Sequence, residues 1–147
     1  MAALVEPAQI SLFEFVQKNL LLFAVALSSG AMLLWPFVRR IGGGASIGTA
    51  QATQLINRED ALVLDVREAG EYGSGHILGA KNLPLARAQS GAGDVAKKKD
   101  ATLILYCESG DRAGRAAAAL RKQGYTKVFT LSGGIGAWKQ AGLPVER

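Results

Sequence analysis

One short run of residues carries the means for covalent chemistry. Cys107 is the only cysteine in the chain, and Glu108-Ser109-Gly110-Asp111-Arg112 follow it directly. A thiolate is a strong nucleophile once its surroundings favour the anion over the thiol. The residues on either side predict such surroundings. Thr102-Leu103-Ile104-Leu105-Tyr106 reads as a strand buried on both faces. Arg112 to Gln123 is rich in alanine and stops at Gly124, which reads as a helix with a glycine end. A strand, a tight loop and a helix N-terminus make an anion-binding arrangement. Successive backbone N–H groups point inward, and the helix macrodipole adds roughly half a positive charge. Gly110 permits the backbone angles of such a curl. The sequence therefore predicts Cys107 as nucleophile, cradled by the backbone N–H groups of Glu108, Ser109, Gly110, Asp111 and Arg112. A lone cysteine can equally be a small buried hydrophobe. Its place at a strand's carboxyl end, where ligand sites of parallel sheets lie, favours chemistry.

The elements that must position this loop follow from patterning. Ala50 to Asn57 has apolar residues at helical spacing, with Thr49 as N-cap. Ala61 to Leu64 is a continuous apolar run ending at Asp65, and Ala80 to Leu83 reads as a short strand before Pro84. Lys127 to Leu131 is a further strand, and Gly134 to Gln140 a short helix ending at Gly142. Helix and strand alternate, which predicts an α/β fold with a mostly parallel sheet covered on both faces. Asp65 stands at a strand end, as a cap for nearby N–H groups or an orienter of loop donors. Arg67 and Glu71 are expected to pair with each other. His76 reads as a loop hydrogen-bonder, Gly133-Gly134 as a tight turn, and Lys97-Lys98-Lys99 as a solvated helix end.

Composition narrows the class. The chain has 147 residues, 49% hydrophobic and 20% charged, so it is not intrinsically disordered. One cysteine and one histidine exclude a disulfide framework and a Cys/His zinc site. The net charge of +5 is interspersed with acids and reads as an ordinary solvated surface, so no nucleic-acid partner is expected. The aromatic share of 7% is low for a single-strand binder built on stacking.

The N-terminal part differs. Residues 20–38 carry no charge, and at ~1.5 Å per residue they reach nearly across the ~30 Å hydrocarbon core of a bilayer. Trp35 near one end suits the headgroup region. The apolar run continues past the small residues 28–31, and Glu6 and Glu14 stand in the segment before it, which disfavours a cleaved signal peptide. The expected organisation is a leader over 1–19, a transmembrane helix over 20–38, a basic, glycine-rich linker over 39–45 and a domain over 46–147. Arg39 and Arg40 after the span outnumber Lys18 before it, so the domain is expected on the cytoplasmic side of the plasma (inner) membrane in a single-pass protein.

Three stretches together resemble the rhodanese family of sulfurtransferases. Leu64-Asp65-Val66-Arg67-Glu68 with Glu71-Tyr72, Gly75-His76-Ile77, Gly79-Ala80 and Asn82-x-Pro84 is similar to the family's first signature. Cys107-x-Ser109-Gly110-x-Arg112 with Ala113 is similar to its active-site loop, and Leu131-x-Gly133-Gly134-Ile135-x-Ala137-Trp138 with Ala141 to Pro144 to its closing signature. With the apolar segment in front, the whole chain is similar to bacterial inner-membrane proteins carrying one rhodanese domain. The resemblance implies a rhodanese-like α/β fold and no cofactor. It implies that Cys107 takes a sulfane sulfur from a donor, thiosulfate or another persulfide, and passes it to a thiophilic acceptor. Asp65 and Arg67 are supporting residues on this reading. With no second cysteine, the acceptor comes from outside the chain. Phosphatases of related fold use Cys-x5-Arg, one residue longer than Cys107-x4-Arg112, and the shorter ring suits sulfur. Glu108 and Asp111 place two acids beside the nucleophile, offset by Arg112 and Arg115, so thiosulfate is expected to be a poor donor. The alternative is a docking module on a membrane protein complex, with little or no catalysis.

Overall fold

A computed structural model describes residues 12–147, the side chains of 36–43 excepted. The leader's first eleven residues thus lie outside the described part. The chain divides into two compact units, residues 1–39 and 40–147.

The first unit contains α1 (Leu12–Lys18), and α2 (Leu20–Gly43) begins in it. Leu12–Lys18 and Leu20–Trp35 are bent from each other by 81°. Asn19 stands at the bend, and its side-chain amide donates to the Phe15 carbonyl at 2.8 Å. Phe15 and Phe23 meet edge to face with centroids 6.3 Å apart. No single helix among the described residues is long and apolar enough to cross a membrane, but the bent pair together meets the length and composition needed. The helix α2 also runs through Gly43, into the stretch the sequence assigns to the linker.

In the second unit the chain runs β1 (Ser46–Ile47), α3 (Thr49–Glu59), β2 (Leu62–Asp65), α4 (Ala69–Ser74), β3 (His76–Ile77), β4 (Lys81–Asn82) and α5 (Leu85–Ser90). It continues through β5 (Thr102–Tyr106), α6 (Asp111–Lys122), β6 (Lys127–Leu131), α7 (Gly134–Gln140) and β7 (Val145–Glu146). Five strands form a parallel sheet in the order β1-β6-β5-β2-β4, while β3 and β7 pair antiparallel. The central strand β5 is buried throughout. Its side chains alternate between two cores, as the period of a strand requires. Leu103 and Leu105 join Leu64, Leu83 and Leu120 on one face, and Ile104 and Tyr106 join Ile47, Ile135 and Trp138 on the other. Ala113, Ala116 and Ala117 present small buried side chains from α6 to the first core, so this helix lies close to the sheet. That proximity delivers its N-terminus to the end of β5.

Three local expectations change. Thr49 is the first residue of α3 and Gly48 its N-cap, with no side-chain cap bond. The Thr49 carbonyl instead accepts from the Thr53 hydroxyl at 2.8 Å. Lys97 to Lys99 lie outside any helix. The Lys99 ammonium sits 3.9 Å from the Tyr125 ring centre, and the Tyr125 hydroxyl donates to the Ala96 carbonyl at 2.6 Å. That anchoring replaces helical hydrogen bonding in the segment. The short helices α4 and α5 stand where the sequence reading placed none.

Candidate active site

Cys107 follows β5 directly and is 1% exposed. Its Sγ accepts a hydrogen bond from the Gly110 N–H at 3.0 Å. Gly110 takes φ +119° as the N-cap of α6, a conformation that favours glycine. The loop is thus curled back on its own sulfur at the positive end of a helix. Of the predicted cradle, the Gly110 amide is the donor on Sγ, while Glu108, Ser109 and Asp111 are exposed. The Cys107 carbonyl is held from the other side by the Ile135 N–H at 3.0 Å.

Two ion pairs fix the loop's flanks, and the partners differ from expectation. Arg67 does not pair with Glu71. It turns back onto Asp65, with Nη2 to Oδ2 at 2.7 Å and Nε to Oδ1 at 3.0 Å, while its backbone N–H donates to Oδ1 at 2.9 Å. This contact across two residues is the shorter reach. It buries both groups, with Asp65 fully enclosed and Arg67 at 4% exposure. Arg67 also donates from Nη2 to the Gly75 carbonyl at 2.7 Å and reaches the Glu108 carboxylate from Nη1 at 3.4 Å. The Arg67 guanidinium stands 5.8 Å from the Tyr106 ring centre. The hydrogen bonds to Asp65 raise the pKa of Arg67. Burial pushes the Tyr106 phenol well above its ordinary value, and its oxygen accepts from the Ile77 N–H at 3.0 Å. Asp65 therefore serves as the buried anchor of a chain of contacts ending at the loop residue Glu108.

Glu71 pairs instead with Arg112, through Nη1 to Oε2 at 2.7 Å and Nη2 to Oε1 at 2.9 Å. The Arg112 guanidinium holds the Glu71 carboxyl down at about 2. The same pairing raises Arg112. His76 is a loop hydrogen-bonder as expected. Its ring stacks on Tyr72 at 3.8 Å, with Nδ1 3.0 Å from the Tyr72 carbonyl. Among the described residues no cluster of three or more His, Cys, Asp or Glu is placed to hold a metal ion.

The match that decides the family covers most of the second unit: residues 49–141 fit the family model for the rhodanese-like domain. The chain belongs to the rhodanese-like family. A sulfurtransferase of Allochromatium vinosum is 38% identical over 92 residues, covering 63% of this chain and 84% of that protein. The uncharacterized protein YqhL of Bacillus subtilis is 42% identical over 78 residues, 53% of this chain. The match spans 60% of YqhL's own length. The solution structure of the rhodanese-like domain of the Anabaena protein Alr3790 superposes with a TM-score of 0.64 at 26% identity. It covers 70% of this chain and 79% of that one. Sulfur transfer is the activity that named members carry at the level of the family.

The rhodanese-like loop depends on two residues to which sequence reasoning assigned other roles. Gly134 was legible only as part of a turn. It takes φ +58°, and a methyl group there would overlap the Cys107 and Glu108 carbonyl oxygens. Gly134→Ala is expected to displace the loop, lowering stability by about 1–3 kcal/mol. Sulfur transfer should fall at least about tenfold, because a misplacement near 1 Å at a reacting centre has effects of that size or larger. Denaturant unfolding and steady-state rates on the same preparation check both.

Glu71 gives a pH signature. Its folded-state pKa is depressed, so its stabilising contribution is fully present above about 4.5 and is lost as pH falls toward about 2. Urea midpoints of the full chain measured across that window should decline more steeply than those of Glu71→Gln. Parallel slopes for the two proteins would show that the pair contributes nothing.

Proposed function

We propose that this chain is a membrane-tethered sulfurtransferase that carries sulfane sulfur as a persulfide on Cys107. The observation that carries the reading is the Gly110 N–H donating to the Cys107 sulfur at 3.0 Å, at a strand's end and a helix's start. The Cys107 thiolate attacks the outer sulfur of a donor. A bond forms between Sγ and that sulfur, and the donor's S–S bond breaks, releasing sulfite from thiosulfate or a thiolate from an organic persulfide. The Cys107 persulfide anion is then attacked at its terminal sulfur by a thiolate or by cyanide. Cys107 leaves as thiolate, and the acceptor departs as persulfide or thiocyanate. No net electron transfer to a further partner is required, and two half-reactions predict ping-pong kinetics.

The acidic rim selects the donor. The Glu108 side chain is 62% exposed and Arg67 touches it at 3.4 Å, so its charge is offset only in part. Asp111 is exposed one residue before Arg112, whose own charge is taken by Glu71. A dianion such as thiosulfate meets this rim unfavourably, whereas a less charged organic persulfide does not. The tether is supported by the apolar side chains Leu20, Leu21, Leu27, Met32, Leu33 and Leu34, all exposed, and by the combined length of the bent pair. The domain then faces the cytoplasm by the bias of basic residues after the span.

The test is intact mass measurement of the full chain in detergent after thiosulfate and after a low-molecular-weight persulfide. A gain of one sulfur, removed by cyanide, is expected with both donors, at far lower concentration with the persulfide. A low thiosulfate KM would overturn the donor reading, and no gain with either donor would overturn the transferase. Release of the chain from membranes by alkaline carbonate would overturn the tether.

A further inference from the structure

The outer side of α6 forms a shallow cleft against α5, of about 480 Å³. Its lining is Gln89, Arg115, Ala118, Ala119, Lys122 and Gln123, with no carboxylate among them. Gln123 is tied down by its side-chain amide, which donates to the Ala88 carbonyl at 2.7 Å. Ala118 and Ala119 leave the middle of the cleft low. Arg115 and Lys122 stand exposed at its two ends, and neither has an ion-pair partner among the described residues. Three arginines of the domain are already engaged, Arg67 by Asp65, Arg87 by Asp94 and Arg112 by Glu71, whereas Arg115 and Lys122 flank one cleft. Seven residues of helix separate Arg115 from Lys122, about 10 Å along the axis. Arg115 lies three residues after Arg112, one turn beyond the catalytic loop.

We infer that this cleft docks an acidic segment of the protein that receives the sulfur from Cys107. The inference rests on the sulfur-transfer reading and names the partner's chemistry. Two unpaired cations about 10 Å apart exceed the reach of one small carboxylate. They match two carboxylates seven residues apart on a helix, or about three apart on an extended strand. A segment seated there runs along α6 toward the loop, so its own thiol is carried to the persulfide. The small side chains in the middle admit a backbone close to α6. Two positive charges steer an acidic partner to this face and fix its register, an effect that fades with salt. Sulfur then moves from the Cys107 persulfide to the partner's thiolate, with Cys107 restored as thiolate.

The probes are two synthetic helical peptides, each with one cysteine placed one turn before the first test position. One carries glutamates seven residues apart, and the other glutamines at the same positions. Full chain loaded with persulfide is discharged by each peptide and by cyanide. The expected result is a kcat/KM for the glutamate peptide about tenfold above that for the glutamine peptide at low salt, collapsing at high salt. Lys122→Glu should erase the preference while leaving discharge to cyanide unchanged. A peptide with glutamate at the position facing Arg115 and lysine at the position facing residue 122 should then become the better acceptor for Lys122→Glu. Equal rates for the two peptides, or a preference that survives Lys122→Glu, would overturn the docking surface. So would competition by vesicles of mixed neutral and anionic lipid that depends on Lys122, since that would assign the cleft to a bilayer. Failure to load persulfide, or failure of cyanide to remove it, would overturn the transferase and the docking inference with it. Loading and cyanide discharge that succeed without peptide preference would overturn the docking alone.

Discussion

Cys107→Ser is expected to gain no sulfur from any donor and to lose transfer by at least about a thousandfold, while the domain stays folded. The chain has one cysteine, so no second thiol can take over. A serine hydroxyl at this position is a much weaker nucleophile toward sulfane sulfur than a thiolate. His76, the sole imidazole, is occupied by Tyr72 and lies 3.4 Å from the Glu146 carboxylate. The fold should survive because serine is close to cysteine in size and its oxygen can accept from the Gly110 N–H that now reaches Sγ at 3.0 Å. Burial of the hydroxyl in an otherwise apolar cluster costs about 1–2 kcal/mol. Intact mass after donor treatment and a urea titration of the same sample separate the two effects. Residual loading in the serine variant would mean that sulfur is held elsewhere.

Asp65→Ala should produce the largest loss of stability. Asp65 is fully buried and Arg67 nearly so, and removing Asp65 leaves a buried guanidinium with only the exposed Glu108 carboxylate, at 3.4 Å, as counter-charge. Losses of about 3–5 kcal/mol are usual for such a break. That is a large share of the roughly 5–15 kcal/mol that holds a domain together. The change also frees the backbone N–H of Arg67 and loosens the arginine that reaches Glu108, so transfer should fall with stability. Asp65→Asn retains an oxygen for the backbone N–H and should destabilise less, which keeps the comparison informative if the alanine variant does not fold. Equal unfolding midpoints for wild type and Asp65→Ala would show that the pair is energetically idle.

Much of this was legible in the residues. The strands β5 and β6 and the helix α7 fall where the patterning places them, because buried parallel strands write themselves as continuous apolar runs. The short helices α4 and α5 left no such trace, since six residues span less than two turns and show little periodicity. The strand-loop-helix junction that carries Cys107 was readable from its residues. The partners of Arg67, Glu71 and Arg112 were not. Glu71 and Arg112 are 41 residues apart in sequence, and only the closing of the sheet brings them together. The bend at Asn19 likewise escaped a reading of hydropathy, which registers apolar length and not direction. Gly134 showed its turn but not its neighbour, because close approach to another loop has no signature in the glycine itself.

The antiparallel pair of β3 and β7 joins His76 to Glu146 and Ile77 to Val145. The Glu146 carboxylate also accepts from the Gly79 N–H at 2.8 Å, across 67 positions of sequence. During synthesis β3 emerges well before β7, and the apolar segment over 20–38 before both. The apolar segment is thus clear of the ribosome before the domain is able to close. Non-local pairing of this kind slows folding. The emerging domain must therefore wait, with Cys107 already translated but its loop not yet clasped by the α7 turn.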